Sequence, residues 1–263
     1  MSDEAVKSVI RDGIAYLSLN RPEKRNAINA EVIDALLSHL DKLAWNQDVR
    51  VIAIGGEGPC FSAGIDVTYI AGLGTLDENR RGALLREVAR KIQSALNRIE
   101  NIEKPVVAVL HKYALGLGME LALACDFRIA AEDTIMGLPE VFMGLVPDCG
   151  GTTRLTRALG VPRAKEIVML GETIGMTRAL ALGLVTLTAP ADELRDAADA
   201  FMKKLMERPE RVLGLAKRLV DLSASVDELT SFEIEALVQS NAVTAPDFPQ
   251  ILASGVQSLM KKK

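Results

Sequence analysis

Val106-Val107-Ala108-Val109-Leu110, then His111-Lys112-Tyr113-Ala114-Leu115-Gly116-Leu117-Gly118, then Met119-Glu120-Leu121-Ala122-Leu123-Ala124-Cys125 run consecutively through the middle of the chain. The first segment is a short unbroken apolar run, as expected of a strand covered on both faces. The last is a helix apolar on every side, which belongs inside a protein. A buried strand feeding a buried helix through a glycine-bearing turn reads as an α/β fold. Glu120 is the one acid in that helix, near its start.

An ionised carboxylate in an apolar segment costs on the order of 3 kcal/mol or more unless it is protonated, paired or facing a polar cavity. Two further acids follow: Glu140 directly after Pro139, and Asp148 in Pro147-Asp148-Cys149-Gly150-Gly151-Thr152. Carboxylates brought to one apolar pocket have their pKa values pushed apart, so one site can hold an acid and a base at neutral pH. The first N–H groups of a helix have no partner within it, so the Gly116–Gly118 turn can stabilise a developing oxyanion. On spacing alone, a plain tight turn with Glu120 in a structural ion pair fits equally well. What surrounds Glu120 divides the two readings.

With 263 residues, 49% of them apolar, the chain has material for one large domain or a domain with a small appendage. The net charge of −4, with no basic cluster beyond Lys261-Lys262-Lys263, argues against nucleic acid as a partner. The N-terminal residues lack the pattern of a signal peptide and no apolar run is long enough to span a bilayer, so the expectation is a cytoplasmic protein without membrane association. Cys60, Cys125 and Cys149 are far apart and odd in number, which indicates buried thiols, not a disulfide framework or a zinc cluster. No GxSxG elbow, P-loop, HExxH or complete dinucleotide fingerprint is present. Serine hydrolases, NTPases, zinc proteases and Rossmann dehydrogenases lose ground together.

Residues 6–11 and 14–19 read as a hairpin turning at Asp12-Gly13. A polar loop, residues 20–27, carries three cations and is either solvated or phosphate-binding. Asn29 suits the cap of a helix running to about residue 43, and 49–55 suits a buried strand. The loop 56–66 follows that strand's C-terminal end, where ligands of α/β proteins tend to sit. Residues 72–77 look like a flexible break before a long charged helix over 78–102, whose apolar face is Leu84, Leu85, Val88, Ile92, Leu96 and Ile99. Short helices are expected over 152–159 and from Pro162 to 170, with a third capped by Thr177 and ending near Gly183. A last strand is expected over 185–187, and from 192 onward the pattern is helical with breaks at Arg208-Pro209 and Ala245-Pro246.

The chain resembles the crotonase superfamily, the enoyl-CoA hydratases and isomerases, from end to end. The pieces are Asn20-Arg21-Pro22 with Asn26-Ala27, Phe61-Ser62-Ala63-Gly64-Ile65-Asp66, Lys104-Pro105-Val106, Ala114-Leu115-Gly116-Leu117-Gly118-Met119-Glu120-Leu121, Ala124-Cys125-Asp126, Pro139-Glu140 and the Pro147–Thr152 run. Each is weak alone; their order and spacing together are specific. The resemblance implies a crotonase-like spiral of ββα turns over 1–191 holding an acyl-CoA site. It also implies a helical oligomerisation region over 192–263 that assembles a homotrimer or homohexamer.

The resemblance further implies an acyl-CoA thioester whose oxygen rests between the backbone N–H groups of Ala63 and Leu117. Glu120 and Glu140 match the catalytic glutamates of the hydratases, and Asp148 matches a third acid of the dienoyl-CoA isomerases. CoA contacts are implied at Lys24, Asn26, Ala27, Ser62, Ala63, Gly64, Ile65, Asp66 and Gly116. No cofactor or metal is implied; coenzyme A enters as part of the substrate. Hydration of a 2-enoyl-CoA is the preferred expectation. The alternatives are isomerisation of a 3,5- to a 2,4-dienoyl-CoA through Glu140 and Asp148, and a non-catalytic acyl-CoA-binding protein. Lys112 and Leu117 stand where the family commonly has glycine.

Overall fold

The structure, a computed structural model, describes residues 4–73 and 75–261. β1 (Val6–Arg11) and β2 (Ile14–Leu19) form the expected antiparallel hairpin, with Val6 opposite Leu19 and Arg11 opposite Ile14. Asp12 and Gly13 both take left-handed backbone, with φ of 51° and 79°, the geometry that matches the twist of paired strands. Asn29 caps α1 (Ala30–Ala44) by accepting from the Val32 N–H at 3.0 Å. β3 (Val51–Gly56) pairs parallel to β2, and α2 (Val67–Leu73) and α3 (Glu78–Asn101) follow.

The middle of the chain winds as a spiral. β4 (Val106–Leu110) joins the large sheet, β5 (Tyr113–Leu115) a small second sheet, and α4 (Leu117–Ala124) closes the turn. β6 (Phe127–Ala131), β7 (Ile135–Gly137) and α5 (Gly151–Leu170) repeat the ββα pattern. β8 (Ile174–Gly175), α6 (Met176–Ala181) and β9 (Leu187–Ala189) complete it. The large sheet has the order β1-β2-β3-β4-β6-β9, parallel apart from the hairpin, and the small sheet is β5-β7-β8.

Both faces of the large sheet are covered, which explains its unbroken apolar strands. On one face Leu17, Ile52, Ile54, Val106 and Ala108 belong to the same buried cluster as Leu36, Leu40, Leu96 and Ile99 of α1 and α3. On the other, Ile14, Val51, Ala53, Val107 and Ile129 meet Leu194, Ala198 and Met202 of α7 (Leu194–Met206). Helix α7 therefore belongs to the core. α8 (Glu210–Ser223) docks through Lys217, whose Nζ lies 2.9 Å from Asp126 Oδ2 and donates to the carbonyls of Ile99 and Lys104. α9 (Glu228–Val243) and α10 (Phe248–Lys261) leave Leu229, Phe232, Leu237, Leu252 and Met260 exposed. No helix among the described residues is long and apolar enough to cross a membrane.

Several elements differ from expectation. The stretch 111–118 holds strand β5, because Ala114 bridges Ser62 and β5 pairs with β7. The expected break at 72–77 is partly α2, which includes Gly72, while Gly74 lies outside the described residues. The last strand sits two residues later than 185–187, since pairing to β6 begins where Thr186 N donates to Arg128 O. Thr177 is inside α6 and Gly175 caps it, because Ile174 and Gly175 pair with β7. The two helices expected around Pro162 are one element with non-helical backbone at Gly160. The outer half of α3 carries Leu84 exposed; its buried face is Ala89, Ile92, Ala95, Leu96 and Ile99.

Candidate active site

Gly116 takes φ +50° and ends β5, so α4 starts abruptly with Leu117, and Glu120 falls in its first turn with only 2% exposure. No cation pairs with Glu120 among the described residues, so the structural ion-pair reading fails. Its Oε1 accepts instead from the N–H of Gly151 at 2.7 Å and of Cys149 at 3.0 Å. Burial drives the Glu120 pKa up to about 7; the Gly151 N–H opposes this, the nearby Glu140 and Asp148 charges add to it, and the Cys149 N–H opposes it again. The two donors sit in the glycine turn that opens α5. A Cβ on Gly151 would lie 2.8 Å from Glu120 Cγ and Oε1, so the turn fits around this carboxyl.

Helix α3 holds that turn in place. Arg154 forks onto Glu100 at 2.8 and 2.9 Å and donates to Cys149 O at 3.1 Å, while Gln93 Nε2 donates to Asp148 O at 2.6 Å. Glu140 lies in a single 3-10 turn, Pro139–Met143, directly after β7. Its Oε1 fills the space beside Gly116, 2.9 Å from where a Cβ would stand, and its Oε2 is buried without a hydrogen-bond partner among the described residues. Burial raises the Glu140 pKa, its own backbone N–H works against that, and the Asp148 charge adds to it.

Glu120, Asp148 and Cys149 each bring one polar side-chain atom within 4.8 Å of the others. The Cys149 thiol donates to Asp148 Oδ1 at 3.3 Å, and burial with the neighbouring acids pushes its pKa far up. A thiol held protonated and a carboxyl oxygen committed to two N–H groups make a poor metal cradle. The arrangement is a cluster of two carboxyl groups and a thiol.

The free backbone N–H groups near the start of α4 differ in part from the pair expected. Leu117 is the first residue of α4, and its N–H has no acceptor among the described residues. The Ala63 N–H, expected to be its partner, is already spent on Arg25 O at 3.0 Å. Ile65 is the better candidate. It bridges Ile28, which bonds Gly64 O and Asp66 N, so the Ile65 N–H points away from Ile28 and has no acceptor among the described residues. Gly64, at φ +101°, lets this segment approach: a Cβ there would lie 2.7 Å from Leu115 O and 3.5 Å from Leu117 N.

The chain as a whole is similar to a known group of proteins. A family described as Enoyl-CoA hydratase/isomerase matches residues 9–262. A Bacillus subtilis protein named "Probable enoyl-CoA hydratase" is 34% identical over 260 residues, covering 98% of this chain and 96% of its own. "Enoyl-CoA isomerase/hydratase fer4" of Mycosarcoma maydis is 35% identical over 235 residues, 85% of this chain and 82% of its own. The solved enoyl-CoA hydratase of Bacillus anthracis superposes with a TM-score of 0.88 at 29% identity, covering 98% of this chain and 97% of that one. The chain belongs to the enoyl-CoA hydratase/isomerase family.

Several residues expected to touch CoA use their side chains in hydrogen bonds within the protein. Asn26 is buried; it accepts from Arg21 N at 2.9 Å and donates to Glu57 O and Cys60 O at 2.8 and 2.7 Å, which leaves no donor for a ligand. Ser62 is buried, donating to Asn26 O at 2.8 Å and accepting from Gly64 N at 3.1 Å. Asp66 receives Arg21 at 2.9 Å and the Thr68 N–H and hydroxyl at 3.1 and 2.7 Å. Ala27 O accepts from Arg21 at 2.6 Å. These contacts staple the loop 20–27 to the segment 56–66, and Arg25 and Asn26 both take left-handed backbone to allow it. Lys24 is exposed at the surface of the same loop and makes no ion pair among the described residues. Tyr69, three residues beyond Asp66 on α2, was not anticipated from the sequence; its hydroxyl is buried without a partner among the described residues. Its one sequence signal is being an aromatic residue in a chain with only 4% of them.

Proposed function

We propose that this enzyme adds water across the double bond of a 2-enoyl-CoA. The observation that carries the reading is Glu120, buried and with a pKa near 7, beside a second carboxyl with a raised pKa and two unspent backbone N–H groups. The thioester oxygen rests between the Ile65 and Leu117 N–H groups, where negative charge develops in the transition state. Glu120, with a pKa of about 7, can take up a proton at neutral pH while the Gly151 and Cys149 N–H groups hold its carboxylate in place, so it acts as the base; Glu140, whose pKa burial also raises, acts as the acid.

Glu120 takes a proton from water as the water oxygen bonds to C3. The π electrons of the C2–C3 bond move onto the thioester oxygen as an enolate. The enolate collapses as Glu140 delivers its proton to C2. Glu120 is left protonated and Glu140 ionised, and exchange of one proton resets them. CoA serves as the handle of the substrate, with Lys24 and Arg25, both exposed and neither in an ion pair among the described residues, as the cations of the stapled loop for its phosphates.

One observation favours a second reading: Asp148 lies in the same cluster, within 4.8 Å of a Glu120 oxygen. A 3,5-dienoyl-CoA isomerase would use Glu140 and Asp148 to move a proton along the chain. The test follows the ultraviolet absorbance of the conjugated thioester with a 2-enoyl-CoA and a 3,5-dienoyl-CoA offered separately. Hydration lowers the absorbance of the first and survives Asp148→Asn. A rise with the second, abolished by Asp148→Asn, would replace hydration with isomerisation.

We also propose a homotrimer, alone or paired into a hexamer. The exposed apolar side chains of α9 and α10, Leu229, Phe232, Leu237, Leu252 and Met260, need a cover that the single chain does not supply.

A further inference from the structure

Three successive peptides wrap the Glu120 carboxyl, and each is held by its carbonyl. Asp148 O accepts from Gln93 Nε2 at 2.6 Å, Cys149 O from Arg154 Nη1 at 3.1 Å, and Gly150 O from the Arg154 backbone N–H at 2.9 Å. A trans peptide points its N–H opposite its carbonyl, so whatever holds the carbonyl also aims the N–H. The first peptide aims the Cys149 N–H at Glu120 Oε1, 3.0 Å away, and the third aims the Gly151 N–H at the same atom, 2.7 Å away. The third is held by main-chain bonding at the start of α5, which almost any helical sequence supplies. The first rests on one side chain, because Gln93 is the sole donor to Asp148 O among the described residues.

Gln93 belongs to a polar stripe of α3. Gln93, Asn97 and Glu100 follow one another at helical spacing on one face, and all three meet the turn that opens α5. Asn97 Oδ1 takes Arg154 Nη2 at 2.9 Å, and Glu100 takes Arg154 Nε and Nη2 at 2.8 and 2.9 Å. The guanidinium occupies the space beside Gly150, where a Cβ would collide with Nη1. We propose that Gln93 is a positioning residue for the hydration step: by holding the Asp148–Cys149 peptide, it keeps the Cys149 N–H on the Glu120 carboxylate and that carboxylate aimed at the attacking water. The inference rests on the reading of Glu120 as the base. A peptide bonded at both ends is also polarised, which strengthens the bond that its N–H donates. A side chain that only ties α3 to the turn would affect stability and leave the ionisation of Glu120 where it is.

The experiment measures kcat and KM for a short 2-enoyl-CoA across pH in the unaltered protein, in Gln93→Met and in Gln93→Glu. Methionine keeps the length of the side chain without an N–H, and glutamate keeps its outline without one. Gln93 is half-buried, so neither change opens a cavity in the core. In both variants kcat is expected to fall by about tenfold or more, with KM within about twofold, because the N–H groups of Ile65 and Leu117 that hold the thioester are untouched. In Gln93→Met one of the two N–H groups that oppose the rise in the Glu120 pKa is lost, so the acid limb of kcat/KM is expected to move to higher pH. The charged groups facing Glu120 are Glu140 from the 3-10 turn and Asp148 from the α5 turn, with the Cys149 thiol beside them and the Arg154–Glu100 pair behind the turn; Gln93→Met alters none of these. A kcat unmoved in both variants, or lowered in Gln93→Met with the acid limb in place, would overturn the assignment while leaving the enoyl-CoA reading intact. No turnover by the unaltered protein would remove that reading and this inference with it.

Discussion

Glu120 shows what a single residue is made to bear. Its carboxyl is buried in an apolar helix, and its pKa rises from the ordinary 4.5 to about 7. Below 4.5 the group is neutral in folded and unfolded chain alike and costs nothing. Between 4.5 and 7 the unfolded chain gives up the proton while the folded one holds it, so stability falls as pH rises. The loss amounts to about 3 kcal/mol across that window and is constant above it. Glu120→Gln keeps an oxygen to accept from Gly151 and Cys149 but cannot ionise. The variant should therefore melt at a higher temperature than the unaltered protein at about pH 8, with the gap closing towards pH 4.5. Thermal melts at the two pH values check this; an equal or lower melting temperature at the higher pH would contradict it. The sequence announced Glu120 through chemistry alone, as one acid among apolar neighbours. It gave no comparable signal for Ala63 against Ile65, because which N–H is spent depends on how residues 62–66 lie between Arg25, Ile28 and β5, contacts remote along the chain.

Among the elements, the loop 20–27 changes meaning most. Its polar residues invite a ligand-binding reading, yet Arg21 and Asn26 face inward and hold the segment 56–66, with Asp66 and Ser62 as their counterparts. Asn26→Ala leaves Arg21 N, Glu57 O and Cys60 O without their side-chain partner, at about 1–3 kcal/mol for each buried group that water cannot reach. Chemical denaturation should show a loss of at least about 2 kcal/mol. A selective rise in KM for acyl-CoA with stability unchanged would return Asn26 to the ligand. Strands covered on both faces and the capped helix α1 were legible because their signals are local. β5 and β8 were not: each is three residues or fewer, and pairing alone makes them strands. The break between α8 and α9 carries neither glycine nor proline and is marked only by the Asp227 cap, which accepts from Thr230 N at 3.1 Å.

At the scale of the molecule, the chain past residue 191 divides its work. α7 and α8 complete the core, while α9 and α10 carry apolar side chains that the monomer leaves in water. Sedimentation of the 28.3 kDa chain should give a trimer or hexamer, and Phe232→Glu should shift it towards smaller species. A monomer at micromolar concentration would contradict the proposed assembly. The spiral topology was legible only through the resemblance, since no repeat in the sequence is regular enough to name; its turns share a path, not residues.

The most direct measurement follows the ultraviolet absorbance of a short 2-enoyl-CoA with the unaltered protein, Glu120→Gln and Glu140→Gln. The account predicts a steady loss of absorbance with the first and a rate lower by about 100-fold or more with each variant. Absorbance loss at an undiminished rate in either variant would contradict the account, because the reaction would then proceed without the pair of carboxyls around which the site is built.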